Sequence, residues 1–145
     1  VESDAPDLLD LELSLKGGNT LTVSSLFMGT IHTVLFVDEM NPDRIEALGE
    51  EICNHPTFAE KTNVNFVKVL DDHTLQMITY ERGVGMTQAC GTGACASVVT
   101  AARKGLCSKT AEVILPLGSL KIEIKDDGHV MMEGPSVHVL EGKLY

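Results

Sequence analysis

Short segments in which apolar and polar residues alternate make up much of the chain: LELSL at 11–15, TLTVSSLFM at 20–28 and IHTVLFVD at 31–38. Each reads as a strand, because successive side chains of a strand point to opposite faces. The pattern then changes period. Ile45, Leu48 and Ile52 recur at helical spacing behind Asn41, which can cap, and Pro42, which suits a first helical position, so a helix is predicted over 42–53. NVNFVKVL and TLQMITYE follow as a hairpin pair across Asp71, Asp72 and His73. The stretch from Glu81 to Cys90 contains Gly83 and Gly85 but little periodicity, and reads as an ordered loop. A second helix is predicted over 91–104, with Arg103 and Lys104 in its last turn and Gly105 placed to end it. Its interior, ACASVVTAA, has no charged face, as expected of a helix buried on most sides. AEVILPL, SLKIEIKDDGHVMMEG and SVHVLEGKL supply three or four further strands, with turns at Gly118 and at 126–128. Many strands around one apolar helix predict an α+β fold in which a mixed, strongly curved sheet, a barrel-like roll, wraps a central helix.

Composition narrows the function classes. Eleven Lys and Arg against 21 Asp and Glu give a formal charge of −10, and the pI is near 4.8. No basic run exceeds Arg103-Lys104, so neither a nucleic acid nor an anionic membrane surface is expected as a partner. At 145 residues and 43% hydrophobic content the chain suits one globular domain, 1–145. Cys53, Cys90, Cys95 and Cys107 form no CxxC pair and no secreted disulfide pattern, and His55, His73, His129 and His138 show no ligand spacing, so no metal is expected. No apolar run is long enough to span a membrane and the first residues are acidic, which predicts a cytoplasmic protein. The chain starts at Val1 rather than Met, as a fragment would.

The chemistry concentrates in ERGVGMTQACGTGACA, residues 81–96. Cys90 sits where a glycine-bearing loop becomes a helix, followed by Gly91, Thr92 and Gly93. At a helix start several backbone N–H groups lack intrahelical partners and the macrodipole is positive. A thiolate at residue 90 is stabilised there, and a substrate carboxylate can dock on the same N–H groups. The pattern describes a proton-transferring thiol beside an anion cradle.

ERGVGMTQACGTGACA resembles the C-terminal signature of the diaminopimelate epimerases. MGTIHTVLFVD resembles that family's Met-Gly-Asn-Pro-His segment, and NHPTFAEKTNVNFVKV resembles the segment that supplies a substrate-binding Asn. The resemblance runs from about Met28 to Gly142 and covers the second half of the family's usual length. It implies a cofactor-independent enzyme acting on a small amino acid, interconverting the LL and meso forms of diaminopimelate with two thiols. It assigns Cys90 as one of these, with the other in an N-terminal half. Gly91 and Thr92 match backbone donors for the α-carboxylate, Glu81 neighbours the thiol, Arg82 and Asn63 recognise the distal end of the substrate, and His32 lies near the other cysteine. Thr30-Ile31 replaces the family's Asn-Pro, which removes a distal-end amide, and Met86 stands where Glu is usual. A homodimer is compatible with the sequence.

Ordinary readings compete at each residue. A lone cysteine is often an inert core thiol, as Cys53, Cys95 and Cys107 are expected to be. A strand histidine is often merely hydrogen-bonded, Glu81-Arg82 could be an exposed ion pair, and Asn63 could serve a turn. QACGT also matches four of the five positions of a caspase-type cysteine hydrolase pattern, but Thr92 replaces its final Gly. The remaining rivals are another isomerase of the same fold, proline-racemase-like, and an isolated half that folds without catalysing.

Overall fold

The structure, a computed structural model, describes residues 8–27, 31–55, 62–81, 85–87, 91–116, 118–133 and 139–143. Among them ten strands form one mixed sheet. The strands are β1 (Leu8–Ser14), β2 (Thr20–Phe27), β3 (Ile31–Phe36), β4 (Asn63–Asp71), β5 (Thr74–Glu81), β6 (Gly85–Thr87), β7 (Thr110–Leu115), β8 (Gly118–Ile124), β9 (His129–Glu133) and β10 (Val139–Lys143). The sheet order is β1-β2-β3-β4-β5-β7-β8-β9-β10, with β6 added beside β5. The tail thus supplies four strands.

Two pairs are parallel, β3 with β4 and β5 with β7; all others are antiparallel. A parallel pair needs a crossover, and each is bridged by a helix: α1 (Pro42–Cys53) and α2 (Gly91–Arg103). The two helices lie against opposite faces of the sheet, as the parity of the strands shows. Val34, Val67, Leu75 and Met77 join Ala94, Val98 and Val99 of α2 in one core cluster. Their strand neighbours Leu35, Val64 and Phe66 join Ile45 and Ile52 of α1 in another.

The sheet curls far enough that α2 packs against β2, β3, β4, β5, β7, β8 and β9. It is not closed, since β1 and β10 end the order without meeting. Residues 93–101 of α2 are all buried, which the small side chains allow. Its two buried hydroxyls stay satisfied within the helix: Ser97 donates to the Gly93 carbonyl and Thr100 to that of Ala96, both at 2.8 Å. Gly105, at φ +74°, ends the helix, with its N–H on the Ala102 carbonyl and that of Leu106 on Ala101, the paired bonds of a Schellman motif. In α1, Asn41 caps through Oδ1 by accepting from the N–H groups of Asp43 and Arg44, as its sequence predicted. Ile45, Gly49, Ile52 and Cys53 form its buried stripe.

One expectation is corrected. The segment 81–90 is not simply loop, because Gly85–Thr87 pairs antiparallel with Thr79–Glu81. Three residues carry too little alternation to announce a strand, and the ladder partner on β5 decides it. The second helix ends at Arg103, one residue before the predicted boundary. Cys53, Cys95 and Cys107 are buried, as expected of core thiols. None of the described helices is long and apolar enough to cross a membrane.

Candidate active site

The face of the sheet turned toward α2 is apolar along most of its extent and polar at one end. On β4 the α2-facing positions run Asn63, Asn65, Val67, and on β5 they run Met77, Thr79, Glu81, by the alternation of the pleat. The ladder registers set these side by side. His32 pairs with Asn63, Asn65 with Thr79, and Thr79 with Thr87. The polar row lies where α2 begins.

His32 is the centre of this row. It is 0% exposed, and its ring bridges two elements: Nδ1 lies 3.1 Å from Asn65 Nδ2, and Nε2 lies 3.0 Å from Thr92 Oγ1 in the first turn of α2. Asn65, also fully buried, donates to the Thr33 carbonyl at 3.3 Å and accepts from the Thr79 hydroxyl at 2.9 Å. Burial disfavours the imidazolium and lowers the His32 pKa from 6.5 to about 4, so the ring is neutral near pH 7. On the other face a chain of hydroxyls, Ser25 to Thr33 to Thr62 at 2.8 and 2.9 Å, fixes the start of β4. Thr62 Oγ1 also donates to the Ile31 carbonyl at 3.2 Å, tying Asn63 to the strand that carries His32.

Four of the residues singled out by sequence are thereby brought to one end of one face: His32, Asn63, Glu81 and Thr92. Gly91 stands beside them, and there the close approach is made by Met132 of β9. A Cβ at residue 91 would lie 2.8 Å from the Met132 methyl carbon. Cys90 and Arg82 lie outside the described residues. Sequence reasoning missed Asn65 and Thr79, although a signal was present: each is a polar residue at a position where strand alternation calls for a core side chain. Thr87 Oγ1 is likewise buried and has no hydrogen-bond partner among the described residues. Among the described residues no group of three His, Cys, Asp or Glu side chains could hold a metal ion. A groove of about 690 Å³ lined by Ser14, Lys16, Glu51 and His55 is beside α1, on the other face. Its polar groups are engaged locally, the Lys16 N–H by Glu51 at 2.8 Å and the His55 ring by the Ser14 carbonyl at 2.9 Å.

The curled mixed sheet around a central helix is shared, at the level of fold, with solved structures of an epimerase and a probable racemase. The chain superposes on a hydroxyproline epimerase from Agrobacterium vitis with a TM-score of 0.64 at 14% identity, covering 94% of this chain and 45% of that one. It superposes on a probable proline racemase from Agrobacterium radiobacter with a TM-score of 0.65 at 13% identity, covering 92% and 45%. Sequence is more specific. The diaminopimelate epimerase family model matches residues 24–139, and the chain belongs to that family. It is 43% identical over 136 residues to the diaminopimelate epimerase of Clostridium perfringens, covering 94% of this chain and 48% of that protein. With that of Acidiphilium cryptum it is 37% identical over 142 residues, covering 98% and 50%. The chain spans about half the length of these relatives.

Proposed function

We propose that this chain is the C-terminal half of a cofactor-independent diaminopimelate epimerase, which interconverts LL- and meso-diaminopimelate in lysine and cell-wall precursor biosynthesis. The carrying observation is the 3.0 Å contact between His32 and Thr92. It ties the polar end of the sheet to the helix start that follows Cys90, in a chain matched by the family model across that whole region. Cys90 exchanges a proton with the substrate α-carbon from one face. A cysteine of the N-terminal half serves the opposite face, so that removal on one side and delivery on the other invert the centre. The α-proton of an amino acid is weakly acidic, so charge that develops on the carboxylate needs donors already in place. The first-turn N–H groups at Gly91 and Thr92 take that role, favoured by the helix dipole. Family membership assigns Glu81 to serve the thiol, and Arg82 with Asn63 to hold the distal amino-acid end. Thr30-Ile31 in place of Asn-Pro alters that distal recognition and leaves the reacting end untouched.

The test combines this chain with a separately produced N-terminal half and follows deuterium incorporation from D₂O at the α-carbon of LL-diaminopimelate by mass spectrometry. Exchange with inversion is expected from the pair, none from this chain alone, and none from the pair carrying Cys90→Ala. Undiminished exchange by the Cys90→Ala pair would falsify the two-thiol assignment.

A further inference from the structure

We propose that Asn65 is a positioning residue that locks His32 in the tautomer bearing its proton on Nε2, so that the ring meets Thr92 only as a donor. The geometry fixes each direction in turn. The atom of the Asn65 amide that lies 3.3 Å from the Thr33 carbonyl must be the nitrogen, because a carbonyl oxygen can only accept. That same nitrogen lies 3.1 Å from His32 Nδ1, and an amide nitrogen only donates, so Nδ1 must carry a lone pair. The amide oxygen is held by the Thr79 hydroxyl at 2.9 Å, which prevents the amide from turning over. A neutral ring with Nδ1 bare carries its hydrogen on Nε2, and at 3.0 Å this is given to Thr92 Oγ1. A one-way relay results, Thr79 to Asn65 to His32 to Thr92, crossing from β5 through β4 and β3 to the start of α2.

The relay limits what His32 can do. With Nδ1 occupied by an N–H donor and Nε2 already protonated, the ring has no lone pair to offer a substrate or a thiol. It is a fixed dipole supporting the helix start, and its bond to one lone pair of Thr92 Oγ1 turns the hydroxyl's own proton away from the ring. Asn65, Thr79 and His32 are all essentially excluded from solvent, with exposures of 0%, 2% and 0%, so no water competes for the bonds among these three, whereas Thr92 at the end of the relay is exposed. The catalytic consequence rests on the function proposed above; the tautomer does not.

The experiment uses this chain labelled with ¹⁵N-histidine, with the His32 signals assigned by their loss in His32→Gln. At neutral pH the Nδ1 resonance of His32 is expected in the unprotonated range, with Nε2 protonated. A wild-type Nδ1–H signature overturns the lock without need of any variant. Asn65→Asp keeps the shape and replaces the donor by an acceptor, so it should move the proton to Nδ1 or protonate both nitrogens. Retention of the Nε2–H form in folded Asn65→Asp also overturns the lock. In the pair of halves the same variant should lower kcat at least about tenfold with KM changed less, as expected where a ring is held in the wrong tautomer. An inactive wild-type pair with an Nε2–H ring would sink the epimerase reading alone. An active pair with an Nδ1–H ring would sink the lock alone.

Discussion

At the scale of single residues, His32 makes a prediction with a defined sign. The unfolded chain binds a proton at this histidine near pH 6.5 and the folded chain near 4, because burial opposes the charge. Between those values the unfolded state holds more protons, so the stability due to a neutral buried His32 is complete above about 6.5 and is lost as pH falls toward 4. The slope is at most about 1.4 kcal/mol per pH unit. Urea denaturation of wild type and His32→Gln at several pH values should show the gap between them narrowing on acidification; parallel curves would contradict it. The cysteines offer a second readout. Cys53, Cys95 and Cys107 are 2%, 8% and 9% exposed, and burial, aided by the nearby Asp72, pushes the Cys107 thiol up. Brief alkylation near neutral pH should therefore label Cys90 first, as mapped by peptide mass spectrometry. Equal labelling of all four thiols would argue against an activated residue 90. Residues legible in the sequence were those embedded in a motif, such as Cys90-Gly91-Thr92. Asn65 and Thr79 were not, because their importance arises from neighbours 33 and 14 residues away, and no spacing along one strand announces a partner on another.

Among the elements, the helices were the most legible. Asn41-Pro42 and Arg103-Lys104-Gly105 mark starts and stops by local chemistry alone, and both appear where expected. Replacing Gly105 by Ala forces a side chain into φ +74° and should cost about 1–2 kcal/mol by chemical denaturation. Gly49→Ala sets two effects in opposition. Alanine gains up to about 1 kcal/mol of helix propensity. Its Cβ, however, would lie 2.6–2.8 Å from Tyr80 Cγ, Cβ and Cδ2, atoms too near the β5 backbone to swing aside. Overpacking of this kind costs about 1–3 kcal/mol, so a net loss is expected, relieved in part when Tyr80 is also made Ala, which removes the ring atoms but keeps the Cβ at 2.7 Å. An equal loss with Tyr80→Ala in place would show that the ring is not the obstacle. Strand β6 was illegible for the reason that also makes it short: its pairing is dictated by β5 rather than by its own pattern.

For the whole molecule, the expected mixed sheet around a central helix is present, but open. Composition could favour curvature without fixing whether the ends meet, since closure depends on strand tilt and stagger that no single segment encodes. The shared face explains why half of a relative's length can carry a recognisable site. His32, Asn63, Asn65, Thr79, Glu81 and Thr92 come from four separate elements, β3, β4, β5 and α2, and all four belong to this chain. If the proposed function holds, mixing with the N-terminal half should restore turnover without a covalent link, in proportion to the concentration of the limiting half. Activity that appears only when the halves are fused would point to a requirement for the linker.

Alternation along β4 has one more consequence. Sliding that strand by a single position would send Asn63 and Asn65 to the α1 side and bring Val64 and Phe66 to the other, so two polar amides would enter one greasy interior while the imidazole lost its neighbour. A misaligned copy is thus too poorly built to persist as an intact but inert impostor. Folding itself proofreads the chemistry.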